Sequence, residues 1–180
     1  GFLAWIARLS KEWSRVLAPN GSLYCFASPQ MAARVEVAIG HDFSILNSIT
    51  WHKMLGWHRK KSPYDLRAYL RPWERIVFAE NFDSDKIAIQ RAGLRPSAVK
   101  SVKEYEEFRR PFSVSPEVPC TDIWTYPVVK VGGKHPCEKP HEMMVDIIRA
   151  SSTEGAVVLD CFAGSGATLK AAVALGRHAI

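Results

Sequence analysis

No apolar run in these 180 residues approaches the roughly 20 needed to span a bilayer, and no secretory leader is evident. The four cysteines, Cys25, Cys120, Cys137 and Cys161, form no C-x-x-C pair and no dense framework. That scarcity argues against a disulfide scaffold and fits a reducing compartment. A zinc site built from Cys120, His135, Cys137 and His141 is conceivable, but Pro136 and Pro140 stiffen the segment. Residues 85–119 contain no internal repeat, and a phosphate-cradling G-x-x-x-x-G-K-[ST] loop is absent, because Gly164 to Lys170 has the wrong spacing. No Pro-Pro pair occurs anywhere. The chain begins with Gly1 rather than methionine, which leads to the expectation of a fragment or a processed chain.

A sizeable core is possible, since 47% of the residues are hydrophobic. The net charge of +6 is concentrated: residues 51–110 carry 14 Lys/Arg against eight Asp/Glu, while the flanks nearly cancel. In that middle third Trp51, Trp57, Tyr64, Tyr69 and Trp73 alternate with Lys53, Arg59, Lys60, Lys61, Arg67, Arg71 and Arg75. Cationic side chains neutralise phosphates, and aromatic and guanidinium planes stack on exposed bases. A solvated loop with tryptophan anchors in the core is the competing reading.

The stretch "VVLDCFAGSGATLKAAVALGR", residues 157–177, carries the most chemistry. Val157 to Leu159 is a short continuous apolar run, which suits a strand buried on both faces of a parallel sheet. Gly164 and Gly166 permit a tight turn, a helix follows, and Gly176 is positioned to stop it. Strand, glycine turn and helix start together present backbone N–H groups suited to a nucleotide-like ligand. A dinucleotide G-x-G-x-x-G needs a third small residue where Leu169 stands. Asp160 would repel a pyrophosphate but pair with an ammonium or sulfonium group.

Just upstream lies "HPCEKPHEMMVDIIRASS", residues 135–152. The two segments together closely resemble the paired cofactor motifs of the amino-group DNA methyltransferases, H-P-x-x-K-P and D-x-F-x-G-S-G. Their order is similar to that of the permuted subgroup, in which the cofactor half follows the catalytic half. Cys161 stands where proline is commoner and Ala167 where threonine is, but the glycines, the acid and the aromatic are intact.

The resemblance implies an α/β, Rossmann-like S-adenosylmethionine-dependent methyltransferase fold, circularly permuted and expected to be incomplete at both ends. It implies methyl transfer to the exocyclic amino group of adenine or cytosine in DNA, as in restriction-modification systems, in the cytoplasm of a bacterial or phage-infected cell. S-adenosylmethionine is the implied cofactor and DNA the implied partner. The implied cofactor residues are Lys139, Pro140, Asp160, Phe162, Ala163, Gly164, Ser165, Gly166 and Thr168, with Asp160 and Lys139 as charged partners of the cofactor's ammonium and carboxylate. For DNA, the resemblance draws attention to Lys53, Trp57, Arg59, Lys60, Lys61, Arg67 and Arg71. The catalytic tetrapeptide of such enzymes, Asp, Asn or Ser followed by Pro-Pro-aromatic, is expected upstream of Gly1, so residues 1–180 alone are expected to be inactive. A non-catalytic DNA-binding relative stays open, as does a nicotinamide-dependent α/β enzyme, which Leu169 and Asp160 oppose.

The remaining pattern predicts α/β order. Phe2, Trp5, Ile6, Leu9, Trp13, Val16 and Leu17 recur at helical spacing before the turn Pro19-Asn20-Gly21. Strands are predicted at 22–27, 45–53 and 74–80, with a helix capped by Ser28-Pro29 and closed by Gly40. Residues 1–80 then belong to the catalytic half, 81–122 to a variable insertion that could read the target sequence, and 123–180 to the cofactor half.

Overall fold

The computed structural model describes residues 1–54, 68–81, 110–114, 119–129 and 138–180. Helix α1 (Phe2–Val16) opens the chain, followed by β1 (Ser22–Ala27), α2 (Ala32–Ile39), β2 (Phe43–His52) and β3 (Trp73–Asn81). Then come β4 (Ile123–Thr125), α3 (His141–Ser151), β5 (Val157–Val158), α4 (Ala167–Ala174) and β6 (His178–Ala179). One sheet has the order β1-β3-β2-β4, and β5 and β6 form a two-stranded ladder. Two compact units divide the chain, one of 1–49 with 75–113 and the other of 50–74 with 114–180. None of the described helices is long and apolar enough to cross a membrane.

In the first unit β1 pairs antiparallel with β3, from Ser22 opposite Glu80 to Ala27 opposite Arg75. Alternation along these strands sends Ala27, Val77 and Ala79 into a core shared with Ile6, Ala32, Val35, Ile39 and Phe43. The buried stripe of α1 is narrower than its apolar spacing suggests. Only Ile6 and Ser10 are buried, whereas Phe2 and Trp5 lie exposed and tilted against each other at 5.8 Å. Helix α2 starts later than the Ser28-Pro29 pair predicts. The Ser28 carbonyl accepts from the Met31 and Ala32 amides in a turn, and Met31 is the N-cap. Gly40 does close that helix.

In the second unit the end of β2 pairs parallel with β4, placing Trp51 opposite Trp124. The Trp51 indole N–H donates to the Tyr126 carbonyl at 2.9 Å, and the ring is only 2% exposed. Trp51 is therefore a core anchor and not a base-stacking surface. Helix α3 buries Met143, Met144, Ile147, Ile148 and Ala150 and packs on α4. Strands β5 and β6 run parallel with α4 as their crossover, Val157 opposite His178. Arg177 seals the end of α3, its Nη2 donating to the Ser152 carbonyl at 2.6 Å.

The strand at 157 forms as predicted but is not buried on both faces. Val157 is 64% exposed and Leu159 50%, because within this unit β6 is the only described ladder partner of β5.

Candidate functional site

Between β5 and α4 the chain reverses through two left-handed glycines, Gly164 at φ 54° and Gly166 at φ 76°. An L side chain is strained in that region, which is why the turn uses glycine. The strand-end carboxylate organises the entry: Asp160 Oδ1 accepts from the Phe162 amide at 3.0 Å, and the Asp160 amide donates to the Ile180 carbonyl. Phe162 projects with 60% of its surface exposed. Ala163 accepts from the Gly166 amide at 2.7 Å, closing the turn across Gly164 and Ser165. Gly166 is the N-cap of α4, so the first-turn amides that follow lack helical acceptors and face the glycine turn. Thr168 lies in the first turn, its hydroxyl 3.5 Å from the Met144 sulfur of α3. Seven of the nine expected cofactor residues thus fall on one continuous turn and helix start.

Lys139 and Pro140 lead into α3. Pro140 is buried at the N-cap, and its carbonyl accepts from the Met144 amide at 3.2 Å. The Lys139 ammonium is engaged by Glu74 Oε2 at 2.9 Å and lies 5.4 Å from the centre of the Trp51 ring. Glu74 Oε1 accepts from Lys53, whose ammonium stands 5.3 Å from the same ring. Burial alone would raise the Glu74 carboxyl, but hydrogen bonds from Lys53 and Lys139 and their charges outweigh it and hold the group below the ordinary carboxylate range. Lys53 and Lys139, expected in two different roles, thus share one half-buried carboxylate.

Of the other expected DNA contacts, Arg71 is exposed beside Tyr69, which is 98% exposed. Trp57, Arg59, Lys60, Lys61 and Arg67 lie outside the described residues. Among the described residues no three or more His, Cys, Asp or Glu side chains gather into a metal site.

Residues 1–180 match the N6/N4 methyltransferase family, described as DNA methylase. The chain belongs to this family. It is 32% identical to the type II methyltransferase M2.DpnII of Streptococcus pneumoniae, over 98% of this chain and 59% of that protein. It is 26% identical to the DNA adenine methyltransferase YhdJ of Escherichia coli strain K12, over 99% of this chain and 61% of that protein. The chain therefore spans about three-fifths of the length of these relatives. Among solved structures it superposes on TTHA0409 of Thermus thermophilus, complexed with S-adenosyl-L-methionine, with a TM-score of 0.61 and 26% identity. That match covers 99% of this chain and 69% of the other.

Sequence reasoning about the family missed Glu74. It lies 65 residues from Lys139 and carries no local signal beyond following Trp73. It also missed the bond from the Tyr126 hydroxyl to Asp146 Oδ2 at 2.6 Å, which joins the segment after β4 to α3. Burial first, and then the Asp146 carboxylate, hold the Tyr126 phenol far above its usual range.

Proposed function

We propose that this chain serves S-adenosylmethionine-dependent methylation of DNA at an exocyclic amino group, with adenine favoured over cytosine. The observation that carries the reading is the β5–α4 turn, where two left-handed glycines, the strand-end Asp160 and the exposed Phe162 occur together. In this reading the backbone of Ala163 to Gly166 accepts close approach of the methionine end of the cofactor, Asp160 attracts its positive charge, and Phe162 covers an apolar surface. The cofactor supplies a methyl group activated on a sulfonium. The order of the motifs, with the H-P-x-x-K-P and D-x-F-x-G-S-G segments in the C-terminal part, supports the permuted arrangement. YhdJ, whose match covers nearly all of this chain, is named an adenine methyltransferase and supports the choice of base.

Exocyclic amino nitrogens are poor nucleophiles and are hidden in the duplex, so the target base has to leave the stack. Orientation of the two reactants then contributes several kcal/mol to the bimolecular step. This chain's turn would fix one reactant. The Pro-Pro-aromatic tetrapeptide that would fix the other is not among residues 1–180, so we expect cofactor binding without turnover from this stretch alone.

Calorimetry with S-adenosylmethionine tests the reading. Gly164→Val is expected to abolish binding, since a branched side chain at a left-handed position distorts the turn. Equal affinity in the variant, or preference for a nicotinamide dinucleotide, overturns the assignment. For DNA, replacing Arg59, Lys60 and Lys61 together with alanine should flatten the salt dependence by up to about 0.9 log unit per lost phosphate contact. An unchanged slope removes that segment from the DNA interface.

A further inference from the structure

The Glu74 cluster belongs neither to the glycine turn nor to an exposed basic surface. Three segments far apart in sequence meet there. Lys53 follows β2, Glu74 lies in β3, and Lys139 precedes α3. The two lysines have only 21% and 23% of their side chains exposed, and Glu74 has 21%. The Lys53 amide also donates to the Pro72 carbonyl at 2.9 Å, so the backbone is tied at the same place as the side chains. Beneath lies the Trp51 ring, itself fixed by its bond to the Tyr126 carbonyl.

Lys139 adjoins the buried Pro140, whose carbonyl starts α3, and Met144 of that first turn touches Thr168 of α4, two residues past Gly166. A charge pair sheltered to this degree is costly to break from one side, because the remaining charges lose their compensation. An ammonium committed to a neighbouring carboxylate and an aromatic ring is also poorly available to a ligand's carboxylate.

We propose that Glu74 is a positioning residue for the cofactor site: it anchors Lys139, and through it the start of α3, to the paired ends of β2 and β3. Lys139 is then an anchor and not the group that receives the cofactor's carboxylate. The inference rests on the cofactor reading of the β5–α4 turn.

The two roles of Lys139 predict opposite signs for one substitution. If Lys139 anchors, Glu74→Gln weakens S-adenosylmethionine binding to residues 1–180 by about tenfold, at the lower end of couplings between sites. Lys139→Met added to Glu74→Gln then costs little more, since both act through one contact. Glu74→Asp, which keeps the charge, recovers part of the loss. If Lys139 is a direct ligand, Glu74→Gln releases it, affinity stays equal or rises, and Lys139→Met weakens binding equally in both backgrounds. That result overturns the proposal.

Amide hydrogen exchange supplies the second readout. Exchange at Met143 and Met144 should accelerate in Glu74→Gln and in Lys139→Met, while β1 amides keep their protection, showing that the chain is still folded. Unchanged exchange at α3 also overturns the proposal. A wild-type chain that binds no S-adenosylmethionine fails the cofactor reading itself and takes the positioning role down with it. Wild-type binding with an indifferent Glu74→Gln fails the positioning role alone.

Discussion

The two compact units are built on different terms. The unit of 1–49 with 75–113 closes a continuous apolar core in which Val35, Ile39, Phe43, Val77 and Ala79 are at most 2% exposed. The unit of 50–74 with 114–180 has buried residues of its own, Trp51, Met143, Ala171 and Ala172 at most 2% exposed, and holds the glycine turn and the Lys-Glu-Lys cluster; apolar side chains are exposed in both units, Phe2 and Val37 in the first, Val157 and Val173 in the second. Three of the four left-handed glycines of the described residues, Gly155, Gly166 and Gly176, open onto free space or only the Glu154 side chain. The difference thus lies in the backbone: all four left-handed glycines of the described residues fall in the second unit. Glycine takes these angles without the strain that an L side chain would meet, so tight chain reversals collect there.

Truncation in the first unit should give the largest effect. Phe43→Ala, at a position 1% exposed, is expected to cost about 3–5 kcal/mol by urea unfolding, as for other buried phenylalanines. A cost below about 1 kcal/mol would show that the first unit's core is not tightly packed, since exposed substitutions already fall in that range. Next in size is Gly166→Ala. A Cβ there meets no atom within 4 Å, so only the backbone at φ 76° resists, at about 1 to 3 kcal/mol for a non-glycine residue held in that region.

Acid should sharpen the difference further. Glu74 is held below its ordinary value of 4.5, so its contribution is present above the unfolded carboxyl's pKa and is lost as pH falls through the lower folded one. Stability measured from about pH 6 down to about pH 2 should therefore drop more steeply in wild type than in Glu74→Gln. Parallel curves would show that the two lysines do not stabilise the carboxylate.

Thiol chemistry separates the units in the opposite direction. Burial in the first unit pushes the Cys25 thiol up to about 11, whereas Cys120 and Cys161 are exposed in the second. At about pH 8 an alkylating reagent should label Cys120 and Cys161 well before Cys25, as mass spectrometry of peptides would show. The stability linked to the Cys25 thiol is full below 9.0 and fades as pH rises toward about 11. The smallest stability effect belongs to Phe162→Ala, within about 0.5 kcal/mol at this exposed position, with loss of S-adenosylmethionine affinity as its separate signature. A large stability loss would mean that Phe162 packs on the protein.

Local chemistry made much of this legible. The strand at 22–27 coincides with β1, Gly40 and Gly176 stop their helices, and the turn at 164–166 needed glycine. Periodicity was less informative about burial. Phe2 and Trp5 share helical spacing with Ile6 but not its burial, because spacing describes a face and not what covers it. For the same reason an all-apolar strand at Val157 could not disclose that one side lacks cover. Trp51, grouped by composition with the basic and aromatic segment, is core, and local pattern could not show this because its partner Tyr126 lies 75 residues away.

Residue types at fixed short spacings pointed to the family, and they fixed the glycine turn because sterics at a few φ angles settle the conformation there. The partners of Lys53 and Lys139 follow from long-range packing alone. Read along the chain, each lysine is a spare positive charge. Once β2, β3 and the start of α3 come together, both fall within hydrogen-bonding reach of Glu74, and the Coulomb attraction of a sheltered site does the rest.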